Sequence, residues 1–348
     1  MKNDIFMLFA NCIPVKGARR SLLCDLQSGR MKLIPNSLYE ILTDHKNRPL
    51  PTIKAAYDHA YDEQIDEYFA FLADHDWGIW CEDPGEFPDL DLTFETPEQI
   101  NNAIIDLGAD SQHDFSAIVS QLEDLGCRAL QIRFFVPFPY QALCDLLEGT
   151  ALSKLRSIEI LIPFDASVEE EQWLNLCRGY PRICRLVVHS APENRTVHAV
   201  DHVDDMGLLI FHTDVVSSHE CCGIIDRVYF TSALETYTEA LKHNNCLNKK
   251  ISVDAKGHIR NCPSMARDYG HIDQVSLKEA LGSESFKDPW HIAKDQIQIC
   301  RDCEFRYVCT DCRAFVREPG NAYAHPAKCS YDPYTATWGK QTSSVFAV

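Results

Sequence analysis

Apolar and polar residues alternate along the first fifty positions in a pattern that predicts three strands and a helix. Segments 6–11 and 20–26 alternate as the two arms of a hairpin, and Met31–Ile34 adds a third short strand. A helix is predicted over 37–42. Apolar side chains at helical spacing then predict an amphipathic helix within 51–75.

Residues 102–214 alternate predicted strands with predicted helices. The strands are 102–108, 129–135, 158–162, 184–189 and 208–212. The helices are 114–125, 140–147 and 169–176. Strands that alternate with helices of about 10–15 residues form βαβ units around a parallel sheet. The predicted fold class is therefore α/β, and the pattern alone leaves a partial barrel and an open sheet as alternatives.

The pattern changes near residue 215 to short elements rich in cysteine, glycine and polar residues. We therefore expect a separate small module here, held together by ligands rather than by a large core. This divides the chain into residues 1–50, residues 51–214 with a helical linker, the module at 215–338 and a tail at 339–348.

Composition and charge narrow the class of function. The chain has 348 residues and a net charge of −18, which argues against general nucleic-acid binding because phosphate neutralisation needs clustered Lys and Arg. No apolar run approaches the roughly 20 residues that a membrane-spanning helix needs. The N-terminal residues show no signal peptide. The sequence therefore predicts a cytoplasmic location, with no nucleic-acid or membrane partner.

Sixteen cysteines are many for a cytoplasmic protein, in which disulfides are rare. Six stand singly in apolar patterns and are expected to be packing residues: Cys12, Cys24, Cys127, Cys144, Cys177 and Cys184. Seven lie in the final third at ligand-like spacings: Cys246, Cys262, Cys300, Cys303, Cys309, Cys312 and Cys329. This uneven distribution predicts a metal site in the C-terminal part.

The spacing of these seven cysteines favours iron–sulfur ligation. A predicted hairpin around Gly257 brings the thiols of Cys246 and Cys262 to one end. Only five residues separate Cys303 from Cys309, whereas zinc ribbons place about 15–20 between their cysteine pairs. Thiolate-only sets at short spacing suit [4Fe-4S] clusters, which take four cysteines each. Zinc and redox-active thiols are the alternatives.

From Cys246 to Cys329 the sequence resembles the SPASM domain of radical S-adenosylmethionine peptide-modifying enzymes. The shared pattern is a cysteine, a spacer ending in Gly257, four residues and a cysteine, then C-x2-C-x5-C with further cysteines behind it. The resemblance implies two [4Fe-4S] clusters. It implies for one cluster the ligands Cys300, Cys303, Cys309 and Cys329. It implies for the other Cys246, Cys262 and Cys312.

Seven cysteines are one short of the eight that two such clusters take. The candidates for the eighth ligand are Cys222 or Cys221, which precede Gly223, and His258. A packing role for the adjacent cysteines and an iron with an open position are the alternatives. We take Cys222 as the predicted eighth ligand.

The radical SAM motif itself is absent. That family needs C-x3-C-x2-C after the first barrel strand, where three thiolates leave one iron open for S-adenosylmethionine. Residues 102–113 contain no cysteine, and the motif occurs nowhere in the chain. The middle of the chain therefore resembles a degenerate partial (β/α) barrel of radical SAM type, from which no cleavage of S-adenosylmethionine is expected.

Nearly the whole chain resembles the SPASM-domain peptide maturase of grasp-with-spasm systems. The residues that carry this resemblance include 17–26, 34–37, Cys81 to Pro84, His219 with Cys222 and Gly223, and Cys303 to Tyr307. Such proteins are encoded beside an ATP-grasp ligase and a short precursor peptide, and are thought to help mature a ribosomally synthesised, modified peptide. The resemblance implies these two partners without specifying the reaction.

The N-terminal fifty residues resemble a small winged-helix-like peptide-recognition domain. A leader peptide would add as a strand to a sheet edge at 20–26, and the alternative is a structural cap. An acidic stretch follows that could meet a basic peptide or form a solvated loop: Glu82, Asp83, Glu86, Asp89 and Asp91. Scattered histidines are candidates for a metal ligand or a base: His189, His198, His202, His212 and His219.

The leading hypothesis is an iron–sulfur maturation factor that acts on, or presents, a precursor peptide alongside an ATP-grasp ligase. The alternative is a peptide-binding scaffold without catalysis, stapled by zinc or by structural clusters.

Overall fold

The computed structural model describes residues 5–199 and 207–340. His202 and the tail beyond residue 340 therefore lie outside the described residues. Within the two described ranges, no helix combines the length and the apolar character needed to span a bilayer.

The N-terminal part of the chain forms a three-stranded sheet, a two-stranded sheet and three helices. Its strands are β1 (Ile5–Leu8), β2 (Cys12–Val15), β3 (Ser21–Asp25), β4 (Met31–Ile34) and β5 (Gly78–Cys81). Its helices are α1 (Asn36–Asp44), α2 (Leu50–Ala56) and α3 (Asp62–Asp74). Buried apolar side chains from both sheets and all three helices share one core, which fixes the strands against the helices.

The pairing of the N-terminal strands differs from the predicted hairpin of 6–11 with 20–26. The chain turns where the backbone N–H of Cys12 donates to the carbonyl of Phe9 at 2.8 Å, so β2 pairs with β3 and β1 pairs with β5. Strand β3 lies between β2 and β4. The prediction of an exposed edge at 20–26 is therefore wrong, and the free edges of this sheet belong to β2 and β4.

The helix predicted within 51–75 is preceded by a second, shorter one. Helix α2 ends before Asp58 and His59, which have positive φ angles of 52° and 60°. These angles lie in the left-handed region, which a right-handed helix does not pass through. The predicted apolar stripe belongs to α3, whose Ile65, Phe69 and Leu72 are buried.

An eight-stranded, mostly parallel sheet forms the centre of the molecule. Its strands are β6 (Asn102–Leu107), β7 (Ala129–Phe134), β8 (Ser157–Pro163), β9 (Ile183–His189), β10 (Arg195–His198), β11 (Leu208–Phe211), β12 (Lys250–Val253) and β13 (Ile259–Arg260). Their order is β10-β11-β9-β8-β7-β6-β12-β13. Strands β10 and β13 at the two ends are antiparallel to their neighbours, and the six between them run parallel. The α/β class is confirmed at this level.

The three crossovers that lead from β6 to β9 carry helices, as connections between parallel neighbours usually do. These are α4 (Phe115–Asp124), α5 (Tyr140–Glu148) and α6 (Glu170–Gly179). The remaining elements are α7 (Leu234–Ala240), α8 (Leu277–Leu281), β14 (Tyr331–Asp332) and β15 (Thr337–Trp338). Helix α4 begins at Asp114, whose side chain accepts from the backbone N–H of Ala117 at 3.0 Å. It ends before Gly126, whose φ of 79° suits glycine.

The C-terminal part of the chain contributes a strand to the central sheet. Strand β12 pairs in parallel with β6 and extends the central sheet. Leu247, Ile251, Ile259 and Leu277 belong to the same apolar core as the strands and helices before them. The sheet therefore continues through the predicted boundary between residues 214 and 215, and the cysteine-rich loops are anchored on a large core.

Candidate metal centres

Four cysteines from distant parts of the sequence meet beside the central sheet. We call them the sheet-side thiols: Cys222, Cys246, Cys262 and Cys312. Burial raises the pKa of Cys262 to about 12, with further contributions from the neighbouring Cys222 and Cys246. Burial also raises the pKa of Cys312 to about 12, and Cys246 and Cys222 contribute again. Each thiol therefore lies within electrostatic reach of others in the set.

Local backbone geometry delivers two of these thiols. The hairpin of β12 and β13 turns at Gly257, whose φ is 88°. A Cβ atom there would lie 2.3 Å from Nε2 of His271, so the turn needs glycine. The predicted hairpin is confirmed, and Cys246 and Cys262, which flank it, belong to one set.

Cys222 reaches the sheet-side thiols because the residue after it has no side chain. A Cβ atom on Gly223 would lie 2.8 Å from Sγ of Cys312, and its φ is 86°. The ammonium of Lys328 donates to the carbonyl of Cys222 at 2.7 Å. These contacts hold the segment against the other thiols.

The other four framework cysteines line one small cavity. We call them the distal thiols: Cys300, Cys303, Cys309 and Cys329. Burial raises the pKa values of Cys300 and Cys309 to about 11, and it raises those of Cys303 and Cys329 as well. Buried neutral thiols ionise when a metal binds, because thiolates are the ligands.

The backbone is strained at the start of the distal loop. Ile299 has a φ of 67°, which is an outlier for a β-branched residue. The next residue, Cys300, begins a short 3-10 turn that ends at Asp302. The backbone N–H of Phe305 donates to Sγ of Cys303 at 3.4 Å. The strain accompanies a loop that turns its cysteines inward.

A lysine stands beside each set of thiols. The ammonium of Lys294 lies 3.3 Å from Sγ of Cys309, and that of Lys250 lies 3.8 Å from Sγ of Cys246. Burial acts to lower the pKa of Lys250, but the nearby sheet-side thiols outweigh it and raise that pKa. Neither lysine was predicted from the sequence, where no spacing rule marks a residue that contacts a ligand only after folding.

The two other candidates for the eighth ligand lie elsewhere. The Sγ atom of Cys221 contacts the carbonyl of Val215 at 3.8 Å. The ring of His258 packs against that of His271 at a centroid distance of 5.6 Å, and its Nδ1 lies 3.5 Å from Asp254. Of the three candidates for the eighth ligand, only Cys222 lies with the sheet-side thiols. The eight cysteines therefore form two sets of four.

Neither set of thiols is arranged around a single point as the ligands of one metal ion would be. Across residues 5–199 and 207–340, no three His, Cys, Asp or Glu side chains are close enough to hold one metal ion together. A zinc ion needs its thiolates at about 2.3 Å, whereas a cluster places its own iron and sulfide atoms between its ligands. Each set supplies four thiols, the number that a [4Fe-4S] cluster takes.

The carboxyl ends of β6 and β7, where the radical SAM motif is absent, carry a buried ion pair and a tethered loop. Arg133 on β7 donates through Nε and Nη2 to both carboxylate oxygens of Asp106 on β6, at 2.6 and 2.8 Å. The hydroxyl of Ser111, in the loop after β6, donates to the carbonyl of Ala255 at 2.6 Å. This loop is tied to the β12–β13 hairpin and presents no cysteine.

The described histidines do not gather into a site. His189, at the end of β9, is 2% exposed, and its Nε2 lies 3.2 Å from the carbonyl of Phe134. His198 lies on the edge strand β10, and Nδ1 of His212 accepts from the backbone N–H of Asp214. His189 and His212 thus have structural partners.

A large apolar groove lies on the N-terminal part of the chain. Its cavity volume is about 720 Å³, and its walls come from β1, β2, α1 and residues 87–92. We call residues 87–92 the strap. Asp89 of the strap pairs with Lys46 beyond the end of α1 at 2.6 Å. Exposed apolar side chains at the groove include Ile79 and Phe87, which are 37% and 47% exposed.

The N-terminal part rests directly on the loop that carries the distal thiols. The backbone N–H of Ala18 donates to the carbonyl of Asp302 at 2.7 Å. Arg20 pairs with the buried carboxylate of Glu304 at 2.8 Å, and Glu304 also bonds the hydroxyl of Tyr331. Apolar residues from β2 and β3 share a core with Phe305 and Cys309. This contact joins the N-terminal part, which we call the grooved part because it carries the groove, to the candidate metal site.

No protein-family model matches the sequence, and no curated protein is significantly similar to it. Two solved structures that resemble the fold are of SuiB from Streptococcus suis, one bound to S-adenosylmethionine and one bound to the precursor peptide SuiA. The first is 10% identical, covers 94% of this chain and 99% of that chain, and has a TM-score of 0.39. The second is 10% identical, covers 93% and 99%, and has a TM-score of 0.36. Identity and TM-score are both low for these two structures.

Proposed function

We propose that this protein is an iron–sulfur maturation factor that binds the precursor of a ribosomally synthesised, modified peptide and works with an ATP-grasp ligase. The observation that carries the proposal is the division of eight cysteines into two sets of four. Seven of the eight come from the SPASM-like framework, and Cys222 completes the second set.

The sheet-side thiols would hold one [4Fe-4S] cluster and the distal thiols the other. Such clusters, when bound, supply one-electron chemistry or stable cross-links between loops. The chain itself buries four of the eight cysteines and places a lysine beside each set. Zinc is the alternative, and it is less well supported because only five residues separate Cys303 from Cys309, whereas zinc ribbons place about 15–20 between their cysteine pairs.

The peptide-binding role is supported by the groove. Its volume of about 720 Å³ falls within the 300–1,000 Å³ of typical ligand pockets, which suits a short run of apolar side chains. The strap contributes acidic Asp89 and Asp91 near the groove. We therefore propose a precursor segment that combines apolar and basic residues as the occupant. The edge of β4 is a second surface to which a peptide could add as a strand.

The ion pair at the carboxyl ends of β6 and β7, in place of cysteines, supports a role without cleavage of S-adenosylmethionine. Asp106, Arg133 and the tethered loop after β6 occupy the region where a three-thiolate site would be needed. The proposed division of labour is thus peptide binding by the grooved part and cluster holding by the C-terminal part.

Metal content tests the proposal. We expect protein purified without oxygen to contain about eight iron atoms and about eight acid-labile sulfides per chain, as two four-cysteine clusters require. Colorimetric iron and sulfide analysis and metal mass spectrometry measure this directly. One or two zinc ions per chain, with no sulfide, would instead support the zinc-stapled scaffold.

Peptide binding is tested with exposed residues, whose replacement leaves the core intact. Phe87→Asp and Ile79→Asp should each weaken binding of a labelled precursor by about tenfold or more, because a charge is placed where an apolar side chain of the peptide would pack. Fluorescence anisotropy on iron-loaded protein measures the affinity. Leu152→Asp is the matched control, since Leu152 is 97% exposed and lies outside the groove.

Met31→Asp separates the two surfaces. Met31 lies on β4 and is 37% exposed. If Met31→Asp weakens binding while Phe87→Asp and Ile79→Asp do not, the peptide adds to the edge of β4 and the groove assignment is wrong. If the wild-type protein binds no precursor, the peptide-binding role itself fails.

A further inference from the structure

Lys294 is a buried cation that shares its nearest carboxylate, Asp311, with Arg313. Lys294 is only 3% exposed to solvent. Its ammonium donates to the carbonyl of Thr310 at 3.2 Å and lies 3.3 Å from Sγ of Cys309. The nearest carboxylate oxygen belongs to Asp311, at 3.8 Å, which is too long for a hydrogen bond.

The carboxylate of Asp311 is already committed to other donors. Its Oδ1 accepts from Nε of Arg313 at 2.9 Å, and its Oδ2 accepts from Nδ2 of Asn244 at 2.8 Å. Asp311 and Arg313 are 1% and 7% exposed, so they form a buried, neutral pair. Lys294 therefore adds one positive charge that nothing in this pair balances.

An unbalanced buried charge is expensive, by several kcal/mol even after the surroundings relax. Neutral thiols cannot offset that cost. Ionised sulfur ligands around an iron–sulfur cluster carry negative charge and would offset it, and Cys309 is the sulfur nearest to the ammonium.

We propose that Lys294 is the charge partner of the cluster held by the distal thiols, and that its ammonium favours retention of that cluster and raises its reduction potential. This inference rests on the proposed function, since it requires the cluster. A nearby positive charge stabilises the reduced cluster more than the oxidised one, because the reduced cluster carries one more negative charge. Charge and hydrogen bonds to sulfur are among the properties that set such potentials.

Lys250 makes a comparable but longer contact on the other side. Its ammonium lies 3.8 Å from Sγ of Cys246, and the nearby Arg133 is already paired with Asp106. Each thiol set thus has its own lysine, so removing one lysine should change one cluster and leave the other unaltered.

The test compares Lys294→Met and Lys294→Arg with wild type, each loaded with iron and sulfide without oxygen. Lys294→Met keeps the length of the side chain and removes the charge, whereas Lys294→Arg keeps the charge. Potentiometric titration followed by electron paramagnetic resonance measures the two potentials, and a ferrous chelator measures the rate of iron loss. Lys287→Met is the control, since Lys287 is an exposed lysine on the same segment.

We expect Lys294→Met to shift one of the two reduction potentials to a more negative value. We also expect the iron of that one cluster, half of the total, to be lost about tenfold faster, which is the lower end of the usual effect of replacing residues that support metal ligands. Lys294→Arg should return both properties towards wild type. Failure of Lys294→Met to load, with loading restored in Lys294→Arg, would also support the proposal.

The proposal is overturned if Lys294→Met keeps the wild-type potentials and rate of iron loss, or if Lys294→Arg behaves like Lys294→Met. In that case the lysine fills space and its charge has no role. A wild-type protein that binds no iron and sulfide would instead contradict the proposed function, so the two failures are distinguishable.

Discussion

Replacing Cys222 with alanine is expected to lower the iron content from about eight atoms per chain to about four, as the loss of one four-cysteine cluster requires. The same replacement of the adjacent Cys221 should leave the iron content unchanged. The reason is geometric, because Cys222 lies among the sheet-side thiols whereas the thiol of Cys221 contacts a backbone carbonyl. Iron and sulfide analysis after purification without oxygen measures both variants.

This pair of variants is closely matched, since the two cysteines are neighbours in one short loop and both are partly exposed. His258→Ala adds a second control, because His258 was the third candidate for the eighth ligand and packs against His271. An equal loss of iron in Cys221→Ala and Cys222→Ala would mean that the loop, and no particular thiol, supports the cluster. Full iron content in Cys222→Ala would show that the sheet-side cluster is held by three cysteines.

The cysteine framework was predictable from the sequence because its spacing is local. C-x2-C and the hairpin around Gly257 each place two thiols together through a turn of a few residues. The choice of Cys222 over Cys221 was not local, since it depends on the approach of Gly223 to Cys312. That approach joins residues about ninety positions apart, which only the folded chain brings together.

The central strands were predictable for a similar reason. Each of the parallel strands β6 to β9 carries buried apolar residues, three of them consecutive in β6, β8 and β9, and a helical pattern separates each strand from the next. The incorporation of β12 into the same sheet had no signal, because its partner β6 lies about 150 residues earlier. The pairing of β1 with β5 was also not predicted. The nearer segment 20–26 alternates apolar and polar residues equally well and was taken as the partner.

Lys294 and the groove are the parts of the candidate sites that the sequence did not reveal. A lysine seven positions after another lysine, in a polar segment, predicts solvent exposure, yet Lys294 is 3% exposed. The groove combines side chains from six strands and helices with the strap. Neither feature follows from periodicity or spacing, which describe only neighbours along the chain.

The contact between the grooved part and the distal loop decides which peptide-binding experiments are informative. Deletion of residues 1–48 would remove Ala18 and Arg20, which bond Asp302 and Glu304 beside the distal thiols. A truncated protein could therefore lose metal and peptide together. Leu23→Pro, a variant meant to block strand addition, would be equally uninformative. Leu23 is fully buried in the central strand β3, so a proline there would disrupt the sheet itself. Point variants at the exposed rim of the groove avoid both problems.

Replacing Asp106 with alanine is expected to destabilise the protein by about 3–5 kcal/mol, the usual cost of leaving one member of a buried ion pair without its partner. Arg133 is 1% exposed and Asp106 is fully buried. Arg133 donates twice to Asp106, at 2.6 and 2.8 Å. Without the carboxylate, the buried guanidinium would lose both oxygens to which it donates. Urea unfolding, followed by circular dichroism, gives the change in the free energy of unfolding.

Two further variants decide whether charge is the cause. Asp106→Leu combined with Arg133→Met removes both charges and keeps apolar volume, so it should recover most of the lost stability, as apolar replacements of buried ion pairs do. Asp89→Ala breaks the exposed pair with Lys46 and should cost less than about 1 kcal/mol. A double variant as unstable as Asp106→Ala would show that packing, rather than an unpaired charge, explains the loss. Recovery in the double variant would mean that the ion pair is dispensable for the fold, and that its place at the carboxyl ends of β6 and β7, beside the sheet-side thiols, has to be explained by function.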